Sequence, residues 1–255
     1  MAVRNEFVAP LILGIIIVGL MIAITVWVVA ATIENYATIS MGIGMTAIRG
    51  PVKDITATGK QSAVLVVGDS LAAGVGSSES EDIPSQLMEL SKRPVDTLAV
   101  SGLRTRDVTK MLKDTLPGHT KGYDGVVLIA GGNDVVFLSK TPISNLEEDF
   151  EELVREGLKH VTKKGKVFVL QPPDVISVPL FRSLRMTMTT SASMKLLSDM
   201  QERVVEKMRS EGLPVVLVSL KDRILNEKHF ALDGMHLSPE GNSIVAGALF
   251  DKMKE

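Results

Sequence analysis

Short runs of apolar residues alternate with longer amphipathic segments over most of the chain. Continuous Val, Ile and Leu runs of this kind are typical of strands that a parallel sheet buries on both faces. The pattern predicts five strands: Ala63–Val67, Thr97–Val100, Val126–Ala130, Val167–Leu170 and Val215–Ser219. It also predicts five helices: Ile83–Lys92, Arg104–Leu116, Ser144–Lys164, Ser191–Glu211 and Pro239–Lys252. This alternation indicates an α/β fold, a three-layer α/β/α sandwich around a five-stranded parallel sheet.

The N-terminal segment has a different pattern. Asp, Glu, Lys and Arg are all absent from Phe7–Ile33. At roughly 1.5 Å per residue, a helix of this length crosses a hydrocarbon core of about 30 Å. We therefore expect a transmembrane anchor over residues 1–33, a stalk or linker over 34–61 and a globular domain over 62–255. A cleaved signal peptide is the alternative, because Val29-Ala30-Ala31 offers small residues for cleavage.

The charges that flank this segment predict its orientation. Arg4 and the α-amino group precede the span, whereas Glu34 follows it and the next cation is Arg49. The positive-inside rule then places the N-terminus in the cytoplasm and the globular domain on the extracytoplasmic side. If the segment is cleaved, the domain is secreted instead.

Composition excludes several classes of function. The 255 residues carry a formal net charge of −2, and the sequence pI is about 6.1. This balance lacks the basic footprint of a nucleic-acid-binding protein, so we expect no nucleic-acid partner. The absence of cysteine rules out disulfides, cysteine-ligated zinc and a thiol nucleophile. The domain is long enough to enclose a sizeable core.

Polar residues follow the predicted strands at the points where the strands end. Gly68-Asp69-Ser70 follows the first strand, Ser101-Gly102 the second and Gly131-Gly132-Asn133-Asp134 the third. Asp233-Gly234-Met235-His236 follows the fifth strand and its loop. Open parallel sheets bind ligands outside the carboxyl ends of their strands. We therefore expect these four blocks to converge on one site.

The blocks contain the residue types that nucleophilic catalysis needs. The Ser70 hydroxyl requires a base to remove its proton, His236 can serve as that base, and Asp233 can orient the imidazole ring. We expect Ser70 at a strand-to-helix turn, where the N-terminus of the following helix offers N–H groups to a developing oxyanion. Three further histidines are expected to be solvated: His119, His160 and His229.

In order and position the blocks resemble those of the SGNH (GDSL) hydrolases. The motifs are GDSLAAG at Gly68–Gly74, GGND at Gly131–Asp134 and DGMH at Asp233–His236. The resemblance covers about Ala63–Lys252, and Leu237 departs from it because many members have proline there. The short blocks look most like the bacterial thioesterase, lysophospholipase and arylesterase branch. The resemblance implies a flavodoxin-like strand arrangement.

The resemblance also implies a site and a reaction. Ser70, Asp233 and His236 would form the catalytic triad, and the oxyanion hole would consist of the N–H of Ser70, the N–H of Gly102 and the side-chain amide of Asn133. It implies no cofactor and no metal. The expected protein is a membrane-anchored serine esterase that hydrolyses acyl esters or thioesters, either lysophospholipid-like or small, through an acyl-enzyme.

Other functions remain open at this stage. The same residues could serve a cell-envelope carbohydrate O-acetylesterase or an acyltransferase. A nucleotide-binding module fits poorly, because Gly74 and Gly76 are followed by Glu79 where a G-x-G-x-x-G motif needs its third glycine. An anchored binding protein without activity is a further alternative. The oligomeric state is not predicted.

Each candidate residue also has an ordinary structural interpretation. Ser70 could cap a helix, His236 could lie on the surface, and Gly102 and Asn133 could serve only their turns. We expect Asp134 to tie down its own loop. The irregular segment Gln171–Thr190 contains Met and Phe residues that could line an acyl pocket or pack in the core.

Overall fold

The sheet has five parallel strands in the spatial order β2-β1-β3-β4-β5. The strand bounds are β1 Val64–Gly68, β2 Val95–Ala99, β3 Tyr123–Ile129, β4 Val161–Leu170 and β5 Val215–Val218. The chain thus leaves β1 in one direction to form β2 and then crosses to its other side to form β3. The predicted α/β fold and the five-stranded parallel sheet are confirmed.

The computed structural model describes residues 21–22, 24–25, 64–116, 122–136, 143–172, 178–180, 187–221, 223 and 226–255. The predicted anchor and stalk lie outside the described residues, except for four helical residues: Met21, Ile22, Ile24 and Thr25. Within the described part of the chain, no helix is long and apolar enough to cross a bilayer.

Helices connect the strands and cover both faces of the sheet. The helix bounds are α1 Ile83–Ser91, α2 Thr105–Thr115, α3 Gly132–Val136, α4 Ile143–Leu158, α5 Thr187–Ser210 and α6 Pro239–Lys254. A short 3₁₀ helix, Glu227–His229, lies between β5 and α6. The brief α3 follows β3 directly, and the sequence pattern does not predict it. All these elements belong to one compact unit, Arg49–Glu255.

Two hydrophobic cores lie on opposite sides of the sheet. In β1, Leu65 and Val67 belong to one core, whereas Val64 and Val66 belong to the other. Successive side chains of a strand point to opposite faces, so a strand buried on both faces is apolar at every position. Helices α2, α4 and α5 cover the first core, and α1 and α6 cover the second. The predicted three layers are therefore present.

The largest departure from the predicted elements is at the start of β4. The helix predicted over Ser144–Lys164 ends at Leu158, and β4 already begins at Val161. The first four residues of β4 are exposed or half-buried, so they lack the apolar pattern that marks the rest of the strand. The pairing of β3 with β4 also shifts register here. A Cβ on Gly165 would lie only 2.6 Å from the carbonyl oxygen of Tyr123, so this irregular pairing is close.

Candidate active site

The end of β1 places Ser70 against the end of β3. All five residues of β1 are buried, and the N–H of Asp69 donates to the carbonyl of Ile129. A Cβ on Gly68 would come within 2.1 Å of that same carbonyl oxygen. Only glycine allows the two backbones to approach so closely. The first glycine of the block is therefore needed to bring Ser70 to the edge of the sheet.

The segment after Ser70 is a series of turns, which corrects the expected helix. Its bonds have mixed spacing, since Ala73 N–H donates to Asp69 C=O while Val75 N–H donates to Ser70 C=O. Gly74 and Gly76 have φ values of +76° and +94°, which no α-helix contains. The first regular helix of this region, α1, begins only at Ile83. Ser70 is therefore neither the cap of a regular helix nor at a helix N-terminus.

His236 lies in a tight loop whose two ends are bonded to each other. Phe230 and Leu237 form an antiparallel bridge, and Ala231 N–H donates to the carbonyl of His236 at 2.8 Å. Gly234 N–H donates to the carbonyl of Ala231, and the positive φ of Gly234 closes the turn. The loop therefore fixes the backbone on both sides of Asp233.

Asp233 takes part in three hydrogen bonds, and two of them join it to His236. Asp233 Oδ1 accepts from the backbone N–H groups of Met235 and His236, both at 2.9 Å. Asp233 Oδ2 lies 2.5 Å from His236 Nδ1. Because an ionised carboxylate can only accept, Nδ1 carries the proton and Nε2 of the neutral ring is left as an acceptor. This is the tautomer that a general base requires.

The charge on Asp233 is secured by these bonds. Burial alone would raise its pKa, but the bonds from the His236 ring and from the N–H groups of Met235 and His236 outweigh burial and lower the pKa to about 2. Asp233 therefore stays ionised at neutral pH.

The imidazole itself is buried, with a relative exposure of 2%, which excludes a surface role for His236. Its Nε2 has no hydrogen-bond partner among the described residues. Buried polar atoms are rarely left unpaired. Of the five residues in the described part of the chain that have such an atom, only His236 lines the cavity described next.

Ser70, Asn133 and His236 line one cavity of about 90 Å³. The rest of its wall is mainly apolar and includes side chains from β3, β4, α5 and α6 and from the connecting segments: Ile129, Leu170, Val178, Met194, Leu220, Met235 and Val245. Gln171, at the end of β4, adds an amide to this wall. The sequence pattern predicts convergence of four blocks. The cavity wall contains residues of three of them, whereas Ser101-Gly102 is not part of it.

The amide of Asn133 has a firm partner and a weak one. Its Nδ2 donates to the carbonyl of Leu103 at 2.9 Å and lies 3.4 Å from Asp69 Oδ2. The second distance is long for an N–H···O bond. The N–H that points toward Asp69 is therefore weakly held and is available to donate to another oxygen in the cavity.

Gly102 takes a different position from the other candidates. It is exposed, its φ is +81°, and a Cβ there would meet no atom within 4 Å. It is not part of the cavity wall. Its loop nevertheless contacts the site, because Leu103, the next residue, accepts the bond from Asn133.

A buried acid, Asp69, and a partly buried one, Asp134, lie beside the site. Burial raises the pKa of Asp69 from its ordinary 3.8 to about 7, although the N–H of Leu71 and the nearby His236 favour its charged form. Burial also raises the pKa of Asp134, and the hydrogen bonds from Thr105 oppose this. Asp134 does not tie down its own loop alone, because its bonds reach the neighbouring loop at Thr105.

Gly76 brings the Ser70 and His236 loops into contact. A Cβ at Gly76 would lie 2.9 Å from the Cβ of Ala231 and 3.0 Å from the Cβ of His236. Sequence reasoning noted this glycine only as part of a nucleotide-binding pattern. Its real partner is distant in sequence, so local spacing could not reveal the contact.

Two amides outside the motifs join the same two regions. Asn242, buried in the first turn of α6, donates from Nδ2 to Ser77 Oγ and to the Glu81 carbonyl, each at 3.0 Å. Gln86 on α1 donates to the carbonyl of Pro239 at 2.9 Å. The segment after Ser70 is thereby attached to the helix that follows His236. Nothing in the local sequence marks either amide as part of the site.

The other histidines require a correction. His160 and His229 are buried, with exposures of 3% and 7%, and not solvated as expected. His160 packs at the turn into β4, 3.4 Å from Glu156. Lys159 and Lys228, which directly precede the two histidines, are exposed, whereas the histidines themselves are buried. His119 lies outside the described residues. In the part of the chain that the structure covers, no group of three or more His, Asp or Glu residues is arranged to hold a metal.

Comparison with known proteins points to one family. The sequence model of the GDSL-like lipase/acylhydrolase family matches residues 66–244. No curated protein matches the chain. Solved structures with the same fold include a carbohydrate acetylesterase from Sinorhizobium meliloti, at 20% identity and a TM-score of 0.60, with 76% of this chain and 99% of that chain covered.

Two other solved structures have similar values. A family 3 carbohydrate esterase from Clostridium thermocellum is 17% identical, with a TM-score of 0.56 and coverage of 76% of this chain and 98% of that one. A lipase/acylhydrolase from Enterococcus faecalis is 19% identical, with a TM-score of 0.56 and coverage of 76% and 96%. At these identities the likeness shows the fold.

Proposed function

The chain belongs to the GDSL-like lipase/acylhydrolase family and is a serine hydrolase that acts on ester bonds; from this premise we propose that Ser70 is the nucleophile, His236 the general base and Asp233 its orienting carboxylate. The observation that carries the proposal is the buried, unpartnered Nε2 of His236 in a cavity that Ser70 also lines. Asp233 holds the opposite ring nitrogen.

The reaction follows from these positions. Ser70 Oγ attacks the acyl carbon as its proton passes to His236 Nε2, and the resulting imidazolium is stabilised by Asp233. The carbonyl electrons return as the C–O bond to the alcohol breaks, and Nε2 gives its proton to the leaving oxygen. Water then attacks the acyl-enzyme by the same route, which releases the acid and restores the Ser70 hydroxyl.

The negative charge on the carbonyl oxygen needs donors at the same edge of the sheet. We assign this role to the N–H of Ser70, the N–H of Gly102 and the Nδ2–H of Asn133. The long distance from Asn133 to Asp69 supports this assignment, because that N–H is weakly held before substrate binds. Gly102 lies outside the cavity wall, so its N–H acts at the rim of the site.

The cavity favours a short acyl chain. One water molecule needs roughly 10–15 Å³ of such space, and this cavity offers about 90 Å³. Its apolar wall suits hydrocarbon. We propose small acyl esters or thioesters as substrates, with the acyl chain packed between the sheet and α6.

A carbohydrate O-acetylester is the second candidate. Gln171 lines the cavity with its Nε2 fixed on the carbonyl of Ser198 at 3.2 Å, which leaves Oε1 as an acceptor for a hydroxyl group. The carbohydrate esterases among the similar folds are consistent with this, although they are distant in sequence.

We also propose that Phe7–Ile33 anchors the protein in a membrane with the hydrolase domain on the extracytoplasmic side. The absence of charge across this segment supports an anchor. Arg4 before it and Glu34 after it support the orientation.

Hydrolysis of p-nitrophenyl esters from acetate to palmitate by the full-length chain tests the reaction. We expect kcat/KM to be highest for short chains. Ser70→Ala should abolish turnover, whereas Ser210→Ala, on the exposed end of α5, should leave it unchanged. A fluorophosphonate should label the wild type at Ser70 and leave Ser70→Ala unmodified. Turnover close to wild type in Ser70→Ala would exclude the proposed nucleophile.

Gln171→Met separates the two substrate classes, because it keeps the side-chain length and removes the amide. If the natural substrate is a sugar ester, the variant should lose about tenfold in kcat/KM on an acetylated monosaccharide and little on p-nitrophenyl acetate. Equal values for both proteins on both substrates would favour the simple acyl ester.

A further inference from the structure

Helix α2 is capped by a residue from another loop. The residue at its N-cap position is Arg104, whose side chain makes no capping bond. Asp134 of α3 takes this role, because its Oδ2 accepts from the N–H of Thr105 at 2.9 Å and from the Thr105 hydroxyl at 2.8 Å. A carboxylate at this place satisfies a free N–H of the first turn and interacts favourably with the helix dipole.

This cap joins the loops that carry two oxyanion donors. Gly102 lies three residues before Thr105, and Asn133 immediately precedes Asp134. A second bond crosses the same gap, from Asn133 Nδ2 to the carbonyl of Leu103. Donors from separate strands must converge on one oxygen, so the spacing between these loops sets the geometry of the hole.

Asp134 is well placed to hold that spacing. It is partly buried, and Arg104, at the N-cap position of α2, lies close enough to favour its charged form. Its bonded oxygen has both its donors on Thr105, a residue that is fully buried at the start of α2. The tether thus joins two rigid points, the first turn of α2 and the first turn of α3.

We propose that Asp134 is a positioning residue of the oxyanion hole, which holds Gly102 and Asn133 at the spacing that the tetrahedral intermediate requires by tethering α2 to α3 through Thr105. The inference rests on the proposed function. It predicts that loosening the tether weakens transition-state binding more than substrate binding.

Three variants test the tether in the full-length protein. Asp134→Ala should lower kcat by about 10- to 100-fold with KM changed less than about threefold, since misplaced donors act only in the transition state. Asp134→Asn keeps an acceptor for one Thr105 donor and should recover part of kcat. Thr105→Val keeps the backbone bond and removes the hydroxyl, so its loss should be smaller, about three- to tenfold. Asp107→Asn, exposed in the same first turn, is the matched control.

A boronic acid inhibitor gives a second readout, because its tetrahedral adduct on Ser70 occupies the oxyanion hole. Its affinity should fall across the three variants in the same order as kcat and stay at the wild-type value in Asp107→Asn. If Asp134→Ala does not fold, Thr105→Val carries the test. Unchanged kcat and inhibitor affinity in folded Thr105→Val and Asp134→Asn would overturn the inference.

Ser70→Ala tests the proposed function separately from the positioning role of Asp134. If Ser70→Ala keeps wild-type turnover, the nucleophile is wrong, whatever the tether variants do. If Ser70→Ala is inactive and Asp134→Ala has normal kcat, the function stands and the positioning role is excluded.

Discussion

Asp233 and His236 are held so firmly by their own loop that the protonation pattern of the ring is decided before substrate arrives. Two backbone N–H groups occupy one oxygen of Asp233, and only the other is available to Nδ1. A carboxylate can accept at both oxygens, whereas an amide must donate from one end. The charge and the acceptor capacity of this side chain therefore matter more than its shape.

Asp233→Asn should lower kcat by about 10³- to 10⁴-fold, with the fold intact. The amide oxygen can keep the two backbone bonds, but the NH₂ group would then face Nδ1 and favour the tautomer with the proton on Nε2. Initial rates on a short-chain p-nitrophenyl ester measure the loss, with the exposed Asp251→Asn as control. Turnover within tenfold of wild type would show that Asp233 does not orient the base.

Asp69 affects stability through its buried carboxyl. Its pKa is about 7 in the folded protein against an ordinary 3.8, so between about pH 4 and 7 the folded state holds a proton that the unfolded state has released. Stability contributed by this group is therefore present at low pH and lost as the pH rises through that window. Two neighbours also act on the pKa of Asp69: His236 lowers it and Asp134 raises it.

Asp69→Asn should remove this pH dependence. From pH 4 to 7 the free energy of unfolding of the wild type should fall relative to that of the variant, by at most about 4 kcal/mol. Urea denaturation of both proteins at several pH values in this range measures the difference. Parallel pH profiles would mean that Asp69 is ionised throughout.

For single residues, the sequence identifies the candidate catalytic side chains but not the residues that each of them contacts. The order and spacing of the blocks single out Ser70, Asn133 and His236, and the structure brings all three to one cavity. The bond from Asp134 to Thr105 joins residues far apart in sequence. Pattern reasoning has no access to such a contact, so it confines Asp134 to its own loop.

Between elements, the main constraint on the site is the contact of the Ser70 loop with the His236 loop. Each loop is fixed at its own strand or bridge, and Gly76 allows their backbones to meet without an intervening side chain. Asn242 adds two bonds between the same regions. The distance from nucleophile to base therefore depends on residues that do no chemistry.

Gly76→Ala should separate the loops and lower kcat by at least about tenfold, because small displacements of catalytic groups are costly. Gly212→Ala is a matched control, since Gly212 also has positive φ, +78°, but no atom within 4 Å of the added Cβ. Both variants should lose about 1–2 kcal/mol of stability to backbone strain. Only Gly76→Ala should lose activity.

Equal activity in the two glycine variants would contradict this explanation of the loop contact. Thermal unfolding of both proteins shows whether the strain is comparable. If the two variants have the same Tm and only Gly76→Ala has a lower kcat, the loss comes from misplacement of the base and not from general destabilisation.

Apolar periodicity predicts the strands because β1, β2 and β3 are buried over most of their length and β5 is apolar at all four positions. It fails at the start of β4, where solvated residues precede the buried run and the pairing with β3 is irregular. The separate expectation of a helix directly after Ser70 is also wrong, because Gly74 and Gly76 hold that segment in turns. Both failures occur where backbone geometry, and not burial, decides the conformation.

For the whole molecule, the hydrolase domain encloses two cores, one on each side of its sheet. Helices cover both faces of the sheet, and the site lies at one edge of that same sheet. The membrane anchor over Phe7–Ile33 is a separate proposal, which rests on the absence of charge in that segment.

The absence of cysteine allows a direct test of the proposed membrane anchor. Ser210→Cys places a thiol on the exposed end of α5, and Asn5→Cys places one before the apolar segment. In intact cells that express the full-length chain, a membrane-impermeant maleimide should label Ser210→Cys, while Asn5→Cys should react only after the membrane is permeabilised.

Each labelling pattern has a distinct meaning when combined with fractionation. An uncleaved anchor keeps the labelled Ser210→Cys chain in the membrane pellet through high salt, because hydrophobic insertion is insensitive to ionic screening. Labelled Ser210→Cys chain in the medium, shortened at its N-terminus, would establish a cleaved signal peptide. Labelling of Asn5→Cys alone in intact cells would reverse the orientation, and the substrate would then be an ester of the cytoplasm.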